Sequence, residues 1–595
     1  MRNLELLKSI KTRSELAVLL GYKPKALTYL LFKMPPEQRY KSFPVPKRSG
    51  GQRTINAPCP ELKALQKRLA GLLVNCSSEL ALAKKLPRIS YGFNKGGSTL
   101  DNASVHRRRR YVLNVDLEDF FGSIHLGRVR GFFINNEDFK LLPDVATVIA
   151  QIACLDGKLP QGSPASPVIS NIIGHILDVH LARLARRYGC SYSRYADDLT
   201  FSTNKPIFPQ QIASLVDPLE HIWVAGGELE REITRCGFRV NHSKTRLEYN
   251  DSRQVVTGVV VNKKLNVPSE FKRGARAMAD RLFKTGSFEN VQVVELDGVK
   301  QFARTSGTIN QLAGVFSYIY MVSHWNSKKL AIKPGTPLTS IERVHRDFLF
   351  YKDFYANQFP TILCEGKTDN TYLKCALKGL ASSFPALIGR KPDGSPDYKI
   401  RFFRGSRLAA RLLSLSGGTA QLKDFIAAYS SWCAKFKSQG GAKPVIIVID
   451  NDAGATHIYN WYASVKRIPK PDGMLPYYYV GQNLYIVPTP KAAPADMSKI
   501  EDLFKADALG VILGGKRFNP NNDTENTTEY GKQYFADHVV KARQKTIDFS
   551  GFEPLLDTIS KIILSHTTAV AAAAETSFAA AIEASTAVAP VAPPT

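Results

Sequence analysis

Acidic residues are scarce in this chain: across 595 residues, 52 Asp and Glu stand against 80 Lys and Arg, leaving a formal charge of +28. That shortage favours a polyanionic partner, because each phosphate neutralised by a cation releases condensed counterions. The deficit is uneven. Residues 361–595 carry about +6, which leaves about +22 for residues 1–360, so the N-terminal part is the expected nucleic-acid holder. Paired cysteines are also missing. The eight present, at 59, 76, 154, 190, 236, 364, 375 and 433, are scattered with no C-x-x-C spacing, which argues against a zinc site and fits a reducing cytosol. There is no recognisable signal peptide and no apolar run long enough to cross a bilayer, so a soluble, cytoplasmic protein without a membrane partner is expected. No Walker lysine follows Ser416-Gly417-Gly418-Thr419; that stretch reads as a turn, and no ATP site is expected.

What is there centres on Tyr195-Ala196-Asp197-Asp198, between two short runs rich in aromatic and β-branched residues. The pattern predicts a β-hairpin turn that presents adjacent carboxylates. Two acids at a tight turn repel each other, a cost that a divalent cation relieves, since hard cations take carboxylate oxygens and leave positions for substrate phosphates. Upstream, Tyr111-Val112-Leu113-Asn114-Val115-Asp116 is an apolar strand ending in an acid, and a buried acid calls for a partner. Between them lies Leu159-Pro160-Gln161-Gly162, a loop able to bring backbone close to a nucleotide. These three motifs, in this order, resemble the palm of reverse transcriptases.

The resemblance implies roles elsewhere. A basic, Gly-containing hairpin signal over Lys47–Ile55 would form fingers that clamp the incoming triphosphate through Lys47 and Arg53. Phe121 would sit under the sugar, Gln161 would contact the nucleotide, and Lys244 would lie near its phosphates. The N-A-x-x-H pattern Asn102–His106, followed by Arg107, Arg108 and two further arginines, together with Val256-Thr257-Gly258, resembles the bacterial retron reverse transcriptases. A lone histidine is commonly a satisfied structural one; within this pattern Asn102, His106, Val256, Thr257 and Gly258 are expected to position RNA, and Arg107 and Arg108 to track phosphate. Tyr91-Gly92-Phe93 reads as a loop with either a template-contact or a connecting role. Lys272, Arg273 and Arg276 lie on a basic amphipathic segment that suits a thumb against a duplex. The first 35 residues read as helices; Thr12-Arg13-Ser14-Glu15 has capping-box spacing, and packing on the fingers is favoured over DNA reading.

From residue 360 the pattern changes. Thr361–Cys364 followed by Glu365, and the apolar run Val445–Ile449 followed by Asp450-Asn451-Asp452, indicate strands of a parallel sheet with acids at their C-terminal ends, where open α/β sheets bind ligands. A Glu after one strand and Asp-x-Asp after another resemble the TOPRIM fold. That implies Mg²⁺ or Mn²⁺ on Asp450 and Asp452, with Glu365 a further ligand or general acid/base. Glu501 would add a third acidic position and Lys532 would stabilise a pentavalent phosphate. The competing reading is that these acids cap helices.

The expected fold is therefore multidomain, α+β and α/β: N-terminal helices and fingers over 1–110, palm over 111–265, an RNA-binding thumb over 266–358, an α/β TOPRIM domain over 359–568 and a disordered Ala/Pro-rich tail over 569–595. By resemblance, Asp116 and Asp197 hold two Mg²⁺ about 4 Å apart, supported by Asp198, for in-line addition of a deoxynucleotide to a primer hydroxyl. The family makes a branched RNA–DNA product, msDNA, from a cognate structured non-coding RNA. It works in anti-phage defence, and the TOPRIM site would then be a nuclease acting on host DNA or on RNA such as tRNA. Retron complexes often assemble into higher-order particles, so the resemblance allows a homo-oligomer. Two other readings stand beside this one: a mobile-element reverse transcriptase, or a TOPRIM-like region that is a non-catalytic scaffold.

Overall fold

The computed structural model describes residues 3–46, 51–296, 299–327, 336–415, 417–494, 496–521 and 528–586. The chain forms two compact units: Met1–Arg273 with Val291–Arg304 and Ser317–Pro334, and Gly274–Asn290 with Thr305–Phe316 and Gly335–Thr595. The segment 266–358 is thus divided between the two units.

The first unit is built on a four-stranded antiparallel sheet in the order Ser191–Tyr195, Asp198–Thr203, Tyr111–Leu117, Val240–Tyr249. Alternation along the strands sorts its two faces. Leu113, Val115, Leu199 and Phe201 point into one large apolar core with Leu65 and Leu69 of helix Pro60–Ala83 and Ile169, Ile173 and Leu177 of helix Ser166–Arg187. The other face carries Asn114 and Asp116, set opposite Thr200 and Asp198. Among the described residues Ser166–Arg187 is the one helix long and apolar enough to cross a membrane by length and composition, an exception to the sequence reading, but half of its most apolar window is buried inside the fold.

Short N-terminal helices pack Leu7, Leu16 and Leu27 into the same core, as a packing role requires. Thr12 caps the helix Arg13–Leu19 by accepting a hydrogen bond from the Glu15 amide at 3.2 Å. Strands Tyr40–Pro46 and Gln52–Pro58 form the expected hairpin. Lys47 lies outside the described residues.

In the second unit a five-stranded sheet runs in the order Arg401–Phe402, Thr361–Cys364, Val445–Ile449, Leu484–Pro488, Tyr478–Gly481, the first four strands parallel and the last antiparallel. All five residues of Val445–Ile449 are buried. Ile362, Ile446 and Val487 share one apolar cluster with Tyr372 and with Leu555, Leu556 and Ile559.

The last three of these belong to helix Glu553–Thr586, which corrects the expected boundary of a disordered tail at 569. An isolated Ala-rich stretch is a marginal helix, but here it prolongs a helix already nucleated by packed residues, so the cost of initiation has been met. The Pro-rich end, 587–595, lies outside the described residues.

Candidate active sites

Asp116, next to the end of its strand, stands directly opposite Asp198. The intervening turn is tight: Ala196 adopts φ +59°, and the carbonyl of Asp197 accepts a hydrogen bond from the Leu117 amide at 3.1 Å, which docks the turn onto the strand bearing Asp116. One oxygen of Asp116, Oδ2, accepts from Lys244 Nζ at 3.0 Å and from Asn241 Nδ2 at 3.1 Å. Desolvation raises the Asp197 carboxyl above its usual range, as does Asp116, against the pull of Lys244 and Arg53. Asp198 is pushed up to about 6, by desolvation first and then by Asp197 and Asp116.

Three carboxylates, two of which, Asp197 and Asp198, have their charge penalised by burial and by their acidic neighbours, form the all-oxygen donor set that a hard divalent cation satisfies, so the residues fit Mg²⁺. Among the described residues no three His, Cys, Asp or Glu side chains gather tightly enough to enclose an ion alone.

The support beneath the turn escaped the sequence reading. Arg194, fully buried, donates from Nε and Nη2 to the two carboxylate oxygens of buried Asp178, each at 2.7 Å, and from Nη1 to the Ala196 carbonyl at 3.1 Å. Gly174 leaves the room for it: a Cβ there would stand 3.0 Å from the guanidinium carbon. Tyr91 donates its amide to the Arg194 carbonyl at 2.9 Å, and a Cβ on Gly92 would meet the Ala196 nitrogen at 2.6 Å. The Tyr91-Gly92 loop therefore buttresses the acidic turn. The Leu-Pro-Gln-Gly loop is likewise docked, with the Gln161 carbonyl accepting from Asn56 at 2.7 Å and Gly162, at φ +120°, passing close to that residue's carbonyl. Arg53 is exposed on the neighbouring strand, and half-buried Phe121 packs 6.1 Å from Phe93.

The two retron-like motifs meet each other. Helix Thr99–Val105 carries Asn102, and Thr257 donates its hydroxyl to the Thr99 carbonyl at 3.3 Å. Thr257 and Gly258 form a turn with φ +47° and +81°, a conformation a β-branched residue adopts only under constraint. Asn102, His106 and Val256, which were expected to position RNA, are buried. Burial, and then Arg109, lower the His106 pKa to about 3, so its ring is neutral at working pH. Arg108 is exposed, although its Nε donates to the Lys263 carbonyl at 3.0 Å; Arg107 is half-buried. Lys272 Nζ donates to Asn266 at 2.7 Å, Arg273 is exposed, and Arg276 donates to Ser340 at 2.8 Å.

The second unit holds its own carboxylate group at the C-terminal ends of the parallel strands. Glu365 follows Thr361–Cys364 and accepts from the Thr419 hydroxyl at 2.5 Å. Asp450 follows Val445–Ile449 and accepts from the Ile500 amide at 2.9 Å. Buried Glu501 pairs through Oε2 with Lys532 Nζ at 3.1 Å, and its Oε1 has no hydrogen-bond partner among the described residues. Desolvation raises the carboxyls of Glu365, Asp450 and Glu501, each with a further rise from neighbouring acids.

Asp369 was missed. Nearly fully buried, it is pushed up to about 6 by desolvation and then by Asp450 and Glu501; its only signal was an acid four residues after Glu365. Asp452 instead behaves as a cap, accepting from the Gly454 amide at 2.8 Å. The Gly417-Gly418 turn, at φ +106° and +98°, leads into the helix that starts at Thr419, and with Glu365, Lys367 and Arg407 it lines a cavity of about 310 Å³.

Known proteins resemble part of this chain. The family described as reverse transcriptase (RNA-dependent DNA polymerase) matches residues 45–266, the span holding all three polymerase carboxylates. The retron Ec83 reverse transcriptase of Escherichia coli is 29% identical over 288 residues, 46% of this chain and 85% of that protein. A telomerase structure from Candida albicans overlaps 54% of this chain and 58% of its own at 11% identity and a TM-score of 0.29, too distant to argue from. The retron Mx65 reverse transcriptase of Myxococcus xanthus is 35% identical over 313 residues, 49% of this chain and 68% of that protein. The retron Ec86 reverse transcriptase of Escherichia coli is 32% identical over 259 residues, 43% of this chain and 74% of that protein. With identity at that level over more than two thirds of both of these relatives, this chain belongs to the retron reverse transcriptases and is an RNA-directed DNA polymerase.

Proposed function

We propose that the first unit copies a cognate structured RNA into a short DNA that stays joined to its template, the msDNA of retrons, using Asp116, Asp197 and Asp198 as its metal-binding acids. The observation that carries the reading is the convergence of these three acids, each raising the next, on a turn held by Arg194. Mg²⁺ bound there supplies charge neutralisation at the transferring phosphoryl group and lowers the pKa of the primer hydroxyl. Lys244 offsets the charge of Asp116 and offers its ammonium to the triphosphate, while Arg53, Gln161 and Phe121 line the nucleotide's approach. Exposed Arg108 and Arg273 hold template phosphates.

The test begins with full-length protein expressed with its upstream genomic flank. Nucleic acid that copurifies is treated with RNase or DNase and run on a denaturing gel. The expected result is a short DNA whose mobility shifts after RNase and which is absent from Asp197→Ala. Bound RNA without that DNA would overturn the msDNA product.

For the second unit the reading is a TOPRIM-type nuclease dependent on Mg²⁺ or Mn²⁺, and the unit is the effector of an anti-phage system. Glu365 and Asp450, at the ends of parallel strands, support it together with Asp369 at a helix start and Glu501 on a short helical turn, four acids whose pKa values rise together, with Lys532 beside them to meet phosphate charge. Asp452 stands beside them as a further ligand: one of its oxygens accepts from the Gly454 amide, as Asp450 accepts from Ile500 and Asp369 from Gly366. The expected outcome is that Asp450→Ala abolishes toxicity and defence while msDNA is still made. Intact defence in Asp450→Ala, together with its loss in Asp116→Ala, would leave the second unit a scaffold.

A further inference from the structure

Behind the acidic hairpin lies a fully buried polar chain. His106 Nδ1 is 2.7 Å from Ser202 Oγ, His106 Nε2 is 2.7 Å from Ser193 Oγ, and Ser193 donates its hydroxyl to Asn102 Oδ1 at 2.7 Å. All four residues are 0% exposed. A serine hydroxyl has one proton, and Ser193 gives its own to Asn102, so it must accept from His106. The imidazole therefore carries its proton on Nε2 and accepts from Ser202 on Nδ1.

Ser193 and Ser202 belong to the two strands of the hairpin, Ser193 opposite Thr200 and Ser202 opposite Ser191. They are diagonal neighbours on one face, the face that, four residues before Ser202, presents Asp198 to Asp116. Thr200, between them and Asp198, meets Asn114 at 3.3 Å. One rigid ring thus spans both strands on the side of the sheet that carries the carboxylates. Helix Thr99–Val105, from which the ring projects, is itself held by Thr257.

We propose that Asn102 and His106 are positioning residues for polymerisation: their relay to Ser193 and Ser202 fixes the register and twist of the hairpin, and so holds Asp197 and Asp198 facing Asp116. This assigns the N-A-x-x-H pattern to the catalytic geometry rather than to RNA contact. A slip or splay of the hairpin would move the acids together, and a buried neutral network resists this because any shift leaves further desolvated polar atoms unpaired, beyond Asn102 Nδ2, which already has no hydrogen-bond partner among the described residues.

The experiment compares full-length wild-type protein with His106→Phe, which fills the space and removes both ring hydrogen bonds, with His106→Gln, which retains a donor and an acceptor, with Ser202→Ala, and with His106→Phe/Ser202→Ala. A fluorescein-labelled poly(rA)·oligo(dT) hybrid serves as both binding probe and primer-template. In His106→Phe, kcat for dTTP addition is expected to fall about tenfold or more while KM for dTTP and the hybrid Kd stay within about twofold. The Mg²⁺ concentration for half-maximal extension should rise. Ser202→Ala should show a smaller loss of the same kind, His106→Gln should recover part of kcat, and the double variant should be little worse than His106→Phe, because the groups act as one unit.

A weakened Kd with kcat intact would return His106 to nucleic-acid contact and overturn the proposal. So would losses that multiply in the double variant, or no loss in either single variant. If His106→Phe does not fold, Ser202→Ala and Ser193→Ala decide: unchanged kcat and Mg²⁺ requirement in both would end it.

Discussion

Asp198 links the electrostatics of the polymerase site to a titration. Its carboxyl is pushed up to about 6 from an ordinary value of 3.8, while part of the side chain still reaches solvent. The raised value is set by the protein packed around it and by its acidic neighbours rather than by full enclosure. A carboxyl whose folded pKa is raised favours the protonated fold. Its contribution to metal-free stability is therefore complete below pH 3.8 and is lost as pH rises through about 6. Asp198→Asn removes that dependence. Melting in EDTA should show the variant a degree or two more stable at pH 8, an amount kept small by solvent screening, and no more stable at pH 4. Mg²⁺ should narrow the wild-type disadvantage at pH 8 by stabilising wild type more than the variant, which loses one of the three acids. A variant no more stable than wild type at pH 8 would mean that the acids do not burden one another as their placement implies.

At the scale of elements, the hairpin and its partner strand were legible because alternation writes them directly: Leu113, Val115, Leu199 and Phe201 mark the core face, and Asn114, Asp116, Asp198 and Thr200 the polar one. The parallel sheet of the second unit was legible from the continuous apolar run Val445–Ile449. What could not be read was the bracing. Arg194 sits next to the motif in sequence, but its partner Asp178 is one of several polar residues of helix Ser166–Arg187, with nothing local to single it out. Ser193 and Ser202 lie 87 and 96 residues from His106, and no local pattern encodes a contact made by chain topology.

Gly92 is another such contact. The loop Ile89–Tyr91 pairs with Arg194, and at Gly92 its backbone comes so close that a methyl group would stand 2.6 Å from the Ala196 nitrogen. Gly92→Ala must therefore displace either the loop or the acidic turn. Primer extension is expected to drop about tenfold or more, with the melting temperature lowered by only a few degrees. If the variant extends primers at the wild-type rate, the loop is not a buttress.

At the scale of the whole molecule, the charge is distributed unevenly. The basic surplus of about +22 lies in residues 1–360, and about +6 in the remainder. Polymerisation needs a site that grips a duplex of any sequence as it advances, which is what phosphate contacts provide and base contacts do not. Such a grip is paid in released counterions, so the logarithm of the binding constant should fall linearly with the logarithm of salt concentration. Arg108 and Arg273 are exposed cations of the first unit, on two separate stretches of chain. Replacing each by alanine should reduce the magnitude of the slope by about one per residue that meets a phosphate, with similar losses for unrelated template sequences. Binding of labelled RNA–DNA hybrids by the full chain between about 50 and 200 mM salt measures this directly. Exposed lysines of the second unit, such as Lys378, provide the contrast, since their replacement should leave the slope for the hybrid unchanged. A slope that responds to Lys378→Ala and not to Arg108→Ala would place the hybrid on the second unit and reverse the assignment drawn from charge.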